Sequence, residues 1–138
     1  MPAKDKFHQT VRNALEKDGW IVTNDPYTIP VMRSYVYIDL AAEKIITAEK
    51  GIEKIVVEVK SFLSLSQISD LYNALGQFQI YKIAVKNQEP DRILYLAIPE
   101  DIFDWLMSDP FTIEIVETYQ LQIIVFDSNT QIIVKWIK

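Results

Sequence analysis

Asp39, Glu58 and Lys60 are charged residues set inside apolar, strand-like runs, Tyr35-Val36-Tyr37-Ile38-Asp39-Leu40 and Val56-Val57-Glu58-Val59-Lys60. Residues two apart in a strand share a face, so Val56, Glu58 and Lys60 point one way while Ile55, Val57 and Val59 point the other. A hairpin between the two runs brings Asp39 beside Glu58. Two carboxylates so placed repel unless something positive lies between them. A divalent cation meets that demand, because Mg²⁺ (or Mn²⁺) takes one or two carboxylates, keeps several waters and accepts phosphate oxygens. The carbonyl of Val59 is a further candidate ligand. Such a centre suits phosphodiester hydrolysis: the cation acidifies and orients water, and Lys60 positions that water or neutralises the pentavalent phosphorus. The plainer alternative is that Glu58 and Lys60 form cross-strand ion pairs worth at most ~1 kcal/mol each, with Asp39 a turn or edge residue. A Glu-x-Lys triplet is weak on its own; the upstream strand Asp and the long helix that follows strengthen it.

The elements that must position these groups are read from periodicity and punctuation. Ala3 to Asp18 predicts a helix with Phe7, Val11, Ala14 and Leu15 on its apolar face and Gly19 ending it. Its polar side carries Asp5, Arg12 and Glu16, with His8 beside them, and reads first as a solvated face. Trp20 to Val22 predicts a short strand, and Asn24-Asp25-Pro26 through Pro30 a loop, since two prolines and an Asn-Asp pair break a ladder. Tyr35–Ile46 and Ile52–Lys60 form a long hairpin turning near Glu49-Lys50-Gly51. Ser64 and Gln67 suggest a capping box for a helix to about Val85, with Ile68, Leu71, Leu75, Phe78 and Ile83 buried.

Lys86 to Asp91 is turn-rich, Arg92–Ile98 predicts a central strand, and Pro99 at N1 starts a helix through Met107. Phe111–Tyr119 fits helix or strand; the four-residue recurrence of Phe111, Ile115 and Tyr119 favours helix. Leu121–Phe126 and Gln131–Ile137 make a closing hairpin around Asp127-Ser128-Asn129. The order α-β-β-β-α-β-α-α-β-β indicates a mixed sheet with helices packed on it. The apolar run Ile132–Ile137 is either an interface or sheet core.

The chain has 138 residues, 49% of them apolar, the size of a single domain able to bury its own core. With no cysteine and one histidine it can build neither a disulfide nor a thiolate or zinc centre, so a metal must be held by oxygen. No apolar run approaches the ~18 residues of a membrane span, and no leader pattern opens the sequence, so a cytoplasmic location is expected. The net charge of −5 and pI near 4.8 oppose a strong stand-alone nucleic-acid binder. Charge acts locally, however: Lys4, Lys6, Arg12 and Lys17 gather early in the chain, and Lys82, Lys86 and Arg92 later.

Ile38-Asp39-Leu40 followed by Val57-Glu58-Val59-Lys60-Ser61-Phe62 resembles the motifs of the PD-(D/E)XK nuclease superfamily. The resemblance implies metal binding by Asp39 and Glu58 and a catalytic Lys60. The proline of the motif is absent here, with Ile38 in its place. Gln77-Phe78-Gln79-Ile80-Tyr81 looks like the Gln-x-x-x-Tyr motif of RecB-like members, and its spacing puts Gln77 and Tyr81 on one helical face. A first-helix acid or histidine often completes such sites, which makes His8 and Glu16 candidates.

Over residues 3 to the C-terminus the chain resembles the XisH family, on Asp5-Lys6-Phe7-His8, Ala14 to Trp20, Val57 to Phe62, Ala74 to Phe78 and Arg92 to Ala97. Members of that family are named as controlling factors for excision of the fdxN element in cyanobacteria that form nitrogen-fixing heterocysts. The resemblance implies an α/β, restriction-endonuclease-like domain over 1–138, a mixed central β-sheet flanked by α-helices. It also implies a role in DNA rearrangement beside a site-specific recombinase and a small XisI-like companion protein, as a metal-dependent DNA endonuclease or as a non-catalytic regulator, with a homodimer as one assembly.

Overall fold

The segment that carries Asp39 does not run as one long strand. In the structure, a computed structural model describing residues 4–47 and 51–138, it is broken at Asp39 into two strands belonging to different sheets. The order is α1 (His8–Lys17), β1 (Ile21–Asn24), β2 (Tyr27–Val31), β3 (Ser34–Ile38), β4 (Leu40–Thr47), β5 (Gly51–Val59), α2 (Gln67–Gln88), β6 (Ile93–Pro99), α3 (Glu100–Leu106), α4 (Pro110–Thr118), β7 (Ile123–Asp127) and β8 (Ile132–Ile137). Ala3, where α1 was expected to begin, and Glu49 and Lys50 of the expected turn lie outside the described residues.

The main sheet is mixed and ordered β1-β4-β5-β6-β7-β8, with β5–β6 and β6–β7 parallel and the other pairs antiparallel. The two parallel joins follow from the helical crossovers, α2 between β5 and β6 and the α3–α4 pair between β6 and β7. Beside this sheet, β2 and β3 form a separate two-stranded ribbon. That ribbon corrects the expectation of a loop over residues 24–30. Pro30 lies in β2 opposite Tyr35, and a two-stranded ribbon has an outer edge that tolerates a residue without an N–H.

Each face of the sheet buries its own core. Ile55, Val57 and Val59 join Val11 and Leu15 of α1 with Trp20, Tyr95 and Phe126. Val56 lies in the other core with Leu71, Ala74 and Phe78 of α2 and with residues of α3 and α4. The period-two alternation expected of β5 is what separates them. On β8, Trp136 packs its ring against Tyr95 and Trp20, while Ile132 and Val134 stand exposed on the sheet edge.

Local details refine or correct the periodic reading. The α2 seam is Leu71, Ala74, Phe78 and Val85, and Ile83 falls outside it, exposed. The cap of α2 is Ser66, whose side chain accepts from the Ser69 N–H; Ser64 instead accepts from Ser66 N–H. On α4 the buried positions are Thr112 and Val116, because the Thr112 hydroxyl donates to the Leu106 and Asp109 carbonyls and turns Phe111 and Tyr119 outward. Pro99 ends β6 and caps α3, which starts at Glu100.

Among the described residues no helix is long and apolar enough to cross a membrane. Phe126 is fully buried and meets Phe7 edge-on at 5.7 Å. Phe126→Ala is expected to cost about 3–5 kcal/mol in urea unfolding, whereas Ile132→Ala on the exposed edge should stay within about 0.5 kcal/mol.

Candidate active site

The break at Asp39 builds the site. β4 and β5 pair with Leu40 opposite Val57, and one further step of that register sets Asp39 opposite Glu58. The ladder is replaced there by side-chain bonds: Val59 N–H donates to Asp39 Oδ2 at 2.7 Å, and Asp39 N–H points to Glu58 Oε1 at 3.4 Å. The expected pairing of the two carboxylates is therefore present, with Asp39 at a joint between sheets.

Lys60 lies two residues beyond Glu58 on the same face, its Nζ 3.7 Å from Glu58 Oε2. Its backbone N–H donates to Ala97 O, extending the β5–β6 ladder one step and fixing where the side chain leaves the sheet. Ser61 N–H then donates to Asp5 Oδ2, and Asp5 Oδ1 accepts from Phe7 N–H, so one carboxylate ties the start of α1 to the residue after Lys60. A cleft of about 270 Å³ lined by Asp5, Lys60, Ser61, Asp70 and Asn73 opens at this point. A larger groove between the ribbon and α2, lined by Ile29, Val36, Ile80 and Ile83 with Asn87 and Gln88, is mostly apolar and is lined by no charged residue.

Burial and the facing Asp39 push the Glu58 carboxyl up to about 9, and the Lys60 ammonium only partly offsets them. The proton is best assigned to the pair, since two interacting carboxylates titrate together. Tyr81 of α2 has its hydroxyl pKa raised by burial and then by Glu58 and Asp39, which places it within their field. Gln77 is half-buried; its Oε1 is buried without a partner, and no hydrogen bond ties it to either carboxylate.

The first helix contributes His8. The imidazole is buried, its Nδ1 3.6 Å from Asp39 Oδ1 and its Nε2 2.7 Å from Asp25 Oδ1. Glu16, the other first-helix candidate, is half-exposed and pairs with Arg12 one turn away at 3.0 Å. Asp25 was read from the sequence only as a loop residue, yet it gathers His8, Arg12 at 2.8 Å and Lys4 at 3.8 Å. Burial works against its carboxylate, but the Arg12 and His8 bonds and the Lys4 charge together hold its pKa below the ordinary value. The available signal was His8 itself, a lone histidine near the apolar stripe of a helix that needs an acceptor once buried. Among the described residues no three His, Asp or Glu side chains form a ready-made metal cluster.

The raised pKa fixes a pH dependence for the metal-free protein. Glu58 keeps its proton to about pH 9 when folded but only to about 4.5 when unfolded. Between those values the folded state holds the extra proton, so stability is greatest at the acid end and falls as pH rises. Urea midpoints measured in a chelator from pH 5 to 9 should decline in the native protein and decline less in Glu58→Gln. Equal slopes would show that the pair does not share a proton.

The fold has close counterparts. A crystal structure of an XisH family protein from Nostoc punctiforme PCC 73102 at 1.60 Å superposes with a TM-score of 0.87 at 42% identity, covering 97% of this chain and all of that one. A crystal structure of an fdxN element excision controlling factor protein from Anabaena variabilis, also at 1.60 Å, gives 0.87 and 42%, covering 98% of this chain and all of that one. No curated protein matches the chain. The family model described as XisH protein matches residues 1–134, and the chain belongs to the XisH family.

Proposed function

We propose that this XisH protein is a divalent-cation-dependent DNA endonuclease of the PD-(D/E)XK, restriction-endonuclease-like type, acting in the controlled excision of a DNA element. The supporting observation is the half-buried Asp39–Glu58 pair with Lys60 on the same face. Buried like charges are costly, and a protein that needed only a packed strand end would gain by replacing one of them.

The donors suit a hard cation: two carboxylates, and the Val59 carbonyl at the strand end. Asp39 and Glu58 would hold Mg²⁺ or Mn²⁺, the remaining positions being taken by water and phosphate oxygens. Such a cation, when bound, acidifies water and offsets charge on the phosphate. The chain's own residues supply the rest. Asp39 is held by Val59 N–H, so one of its oxygens is fixed in direction. Lys60 stands beside Glu58, where its ammonium can orient a nucleophilic water or meet the charge that develops on phosphorus. Tyr81, which feels the charge of Glu58 and Asp39, and Gln77 one turn before it on α2 would steady the site or the strand of DNA. His8 faces Asp39 from α1.

The second reading is a non-catalytic regulator that acts through a protein partner, such as an XisI-like companion or the recombinase itself. The net charge of −5 favours it, because a chain that binds DNA unaided needs clustered cations. A homodimer would enlarge the surface available in either case.

The deciding experiment is nicking of supercoiled and branched DNA with Mg²⁺ or Mn²⁺. Lys60→Ala and Glu58→Ala are expected to lower the rate at least a hundredfold, on the order of what removing a transition-state charge contact costs. Absence of cleavage by the native protein, with and without the companion protein, supports the regulatory reading instead.

A further inference from the structure

His8 is the chain's one histidine and is 4% exposed. Its Nε2 lies 2.7 Å from Asp25 Oδ1, and a carboxylate only accepts, so in the neutral ring Nε2 carries the hydrogen. Nδ1 is then a bare lone pair, and it is buried without any hydrogen-bond partner. It is aimed at Asp39 Oδ1, 3.6 Å away, the oxygen that Val59 N–H leaves free. Two acceptors thus face each other across a gap beside Glu58, an arrangement that a packed core has no reason to keep.

What holds the ring this way is Asp25, between the end of β1 at Asn24 and the start of β2 at Tyr27. The second oxygen of Asp25 is taken by Arg12 Nη1 at 2.8 Å, so the carboxylate cannot turn without losing that bond. We infer that Asp25, braced by Arg12, is a positioning residue that fixes the Nε2–H tautomer of His8 and so aims the unprotonated Nδ1 at the Asp39 side of the proposed cation site. The inference rests on that reading of Asp39 and Glu58 for its purpose; the tautomer itself is independent of it. Carboxylates that orient a histidine in this manner raise its basicity, and losing them typically weakens cation binding roughly ten- to a hundredfold.

Asp25→Asn is the informative variant because Arg12 decides how the amide sits. With guanidinium donors on one side, the amide oxygen turns to Arg12 and its NH₂ turns to His8. Nε2 must then accept, and the ring proton moves to Nδ1, where it meets Asp39.

The experiment is long-range ¹H–¹⁵N correlation on protein labelled at its single histidine, at a pH where the ring is neutral, paired with Mn²⁺ titration by calorimetry. The native ring should carry its proton on Nε2, and Asp25→Asn should carry it on Nδ1 and bind Mn²⁺ roughly ten- to a hundredfold more weakly. A native proton on Nδ1, or on both nitrogens, overturns the inference, as does an Asp25→Asn protein with native tautomer and native Mn²⁺ affinity. If Asp25→Asn does not fold, the native spectrum still decides. No Mn²⁺ binding by the native protein, or binding unchanged in Glu58→Ala, overturns the reading of the carboxylate pair, while the metal-free tautomer continues to decide the role of Asp25.

Discussion

Two carboxylates occupy adjoining half-buried positions where the sheet turns into the ribbon, and the surrounding structure is arranged to tolerate them. Alone, Asp39 and Glu58 would separate or be replaced. They are kept together by the Val59 N–H on one, the Lys60 ammonium beside the other, and a shared proton while no cation is present. Each of these supports lies on β5 or one residue beyond it, and β5 is held on both sides, antiparallel to β4 and parallel to β6. The precision of the pair is therefore inherited from a strand paired along both edges. Loops contribute only the outer groups.

The division of β5 between two cores explains why those charges are affordable at all. From Ile55 to Val57 both faces of the strand are buried, one against α1 and the other against α2, and at Glu58 the α2-facing side is only half-buried. Glu58 and Lys60 sit at that transition. One step earlier a charge would be sealed in the core, where its desolvation would outweigh anything it could hold.

The face assignment of β5, the helices, the closing hairpin and the pairing of Asp39 with Glu58 were legible in the sequence because each follows from short-range periodicity or from a register fixed by a hairpin. What escaped depended on partners distant in sequence. Pro30 forbids a central strand but not an outer edge, and only the ribbon's location shows which applies. Phe111, Ile115 and Tyr119 recur helically and α4 is a helix, but the side it buries is set by a threonine hydroxyl bonded to a carbonyl six residues away. The choice between His8 and Glu16 lay open because they are neighbours on one helix; the loop carrying Asp25 gives His8 an inward partner and leaves Glu16 to Arg12. Asp25 itself reads as a turn former beside a proline, and nothing local to Asn24-Asp25-Pro26 indicates that its carboxylate reaches back to α1.

The ribbon joins the main sheet through a single residue on the β3 side, and that residue is Asp39. On its other side it is reached through the segment holding Asp25. Both anchor points of this two-stranded arm are thus acidic side chains beside His8, Asp25 bonded to its Nε2 and Asp39 standing 3.6 Å from its Nδ1. A displacement of the arm would therefore carry with it the two residues that flank the imidazole.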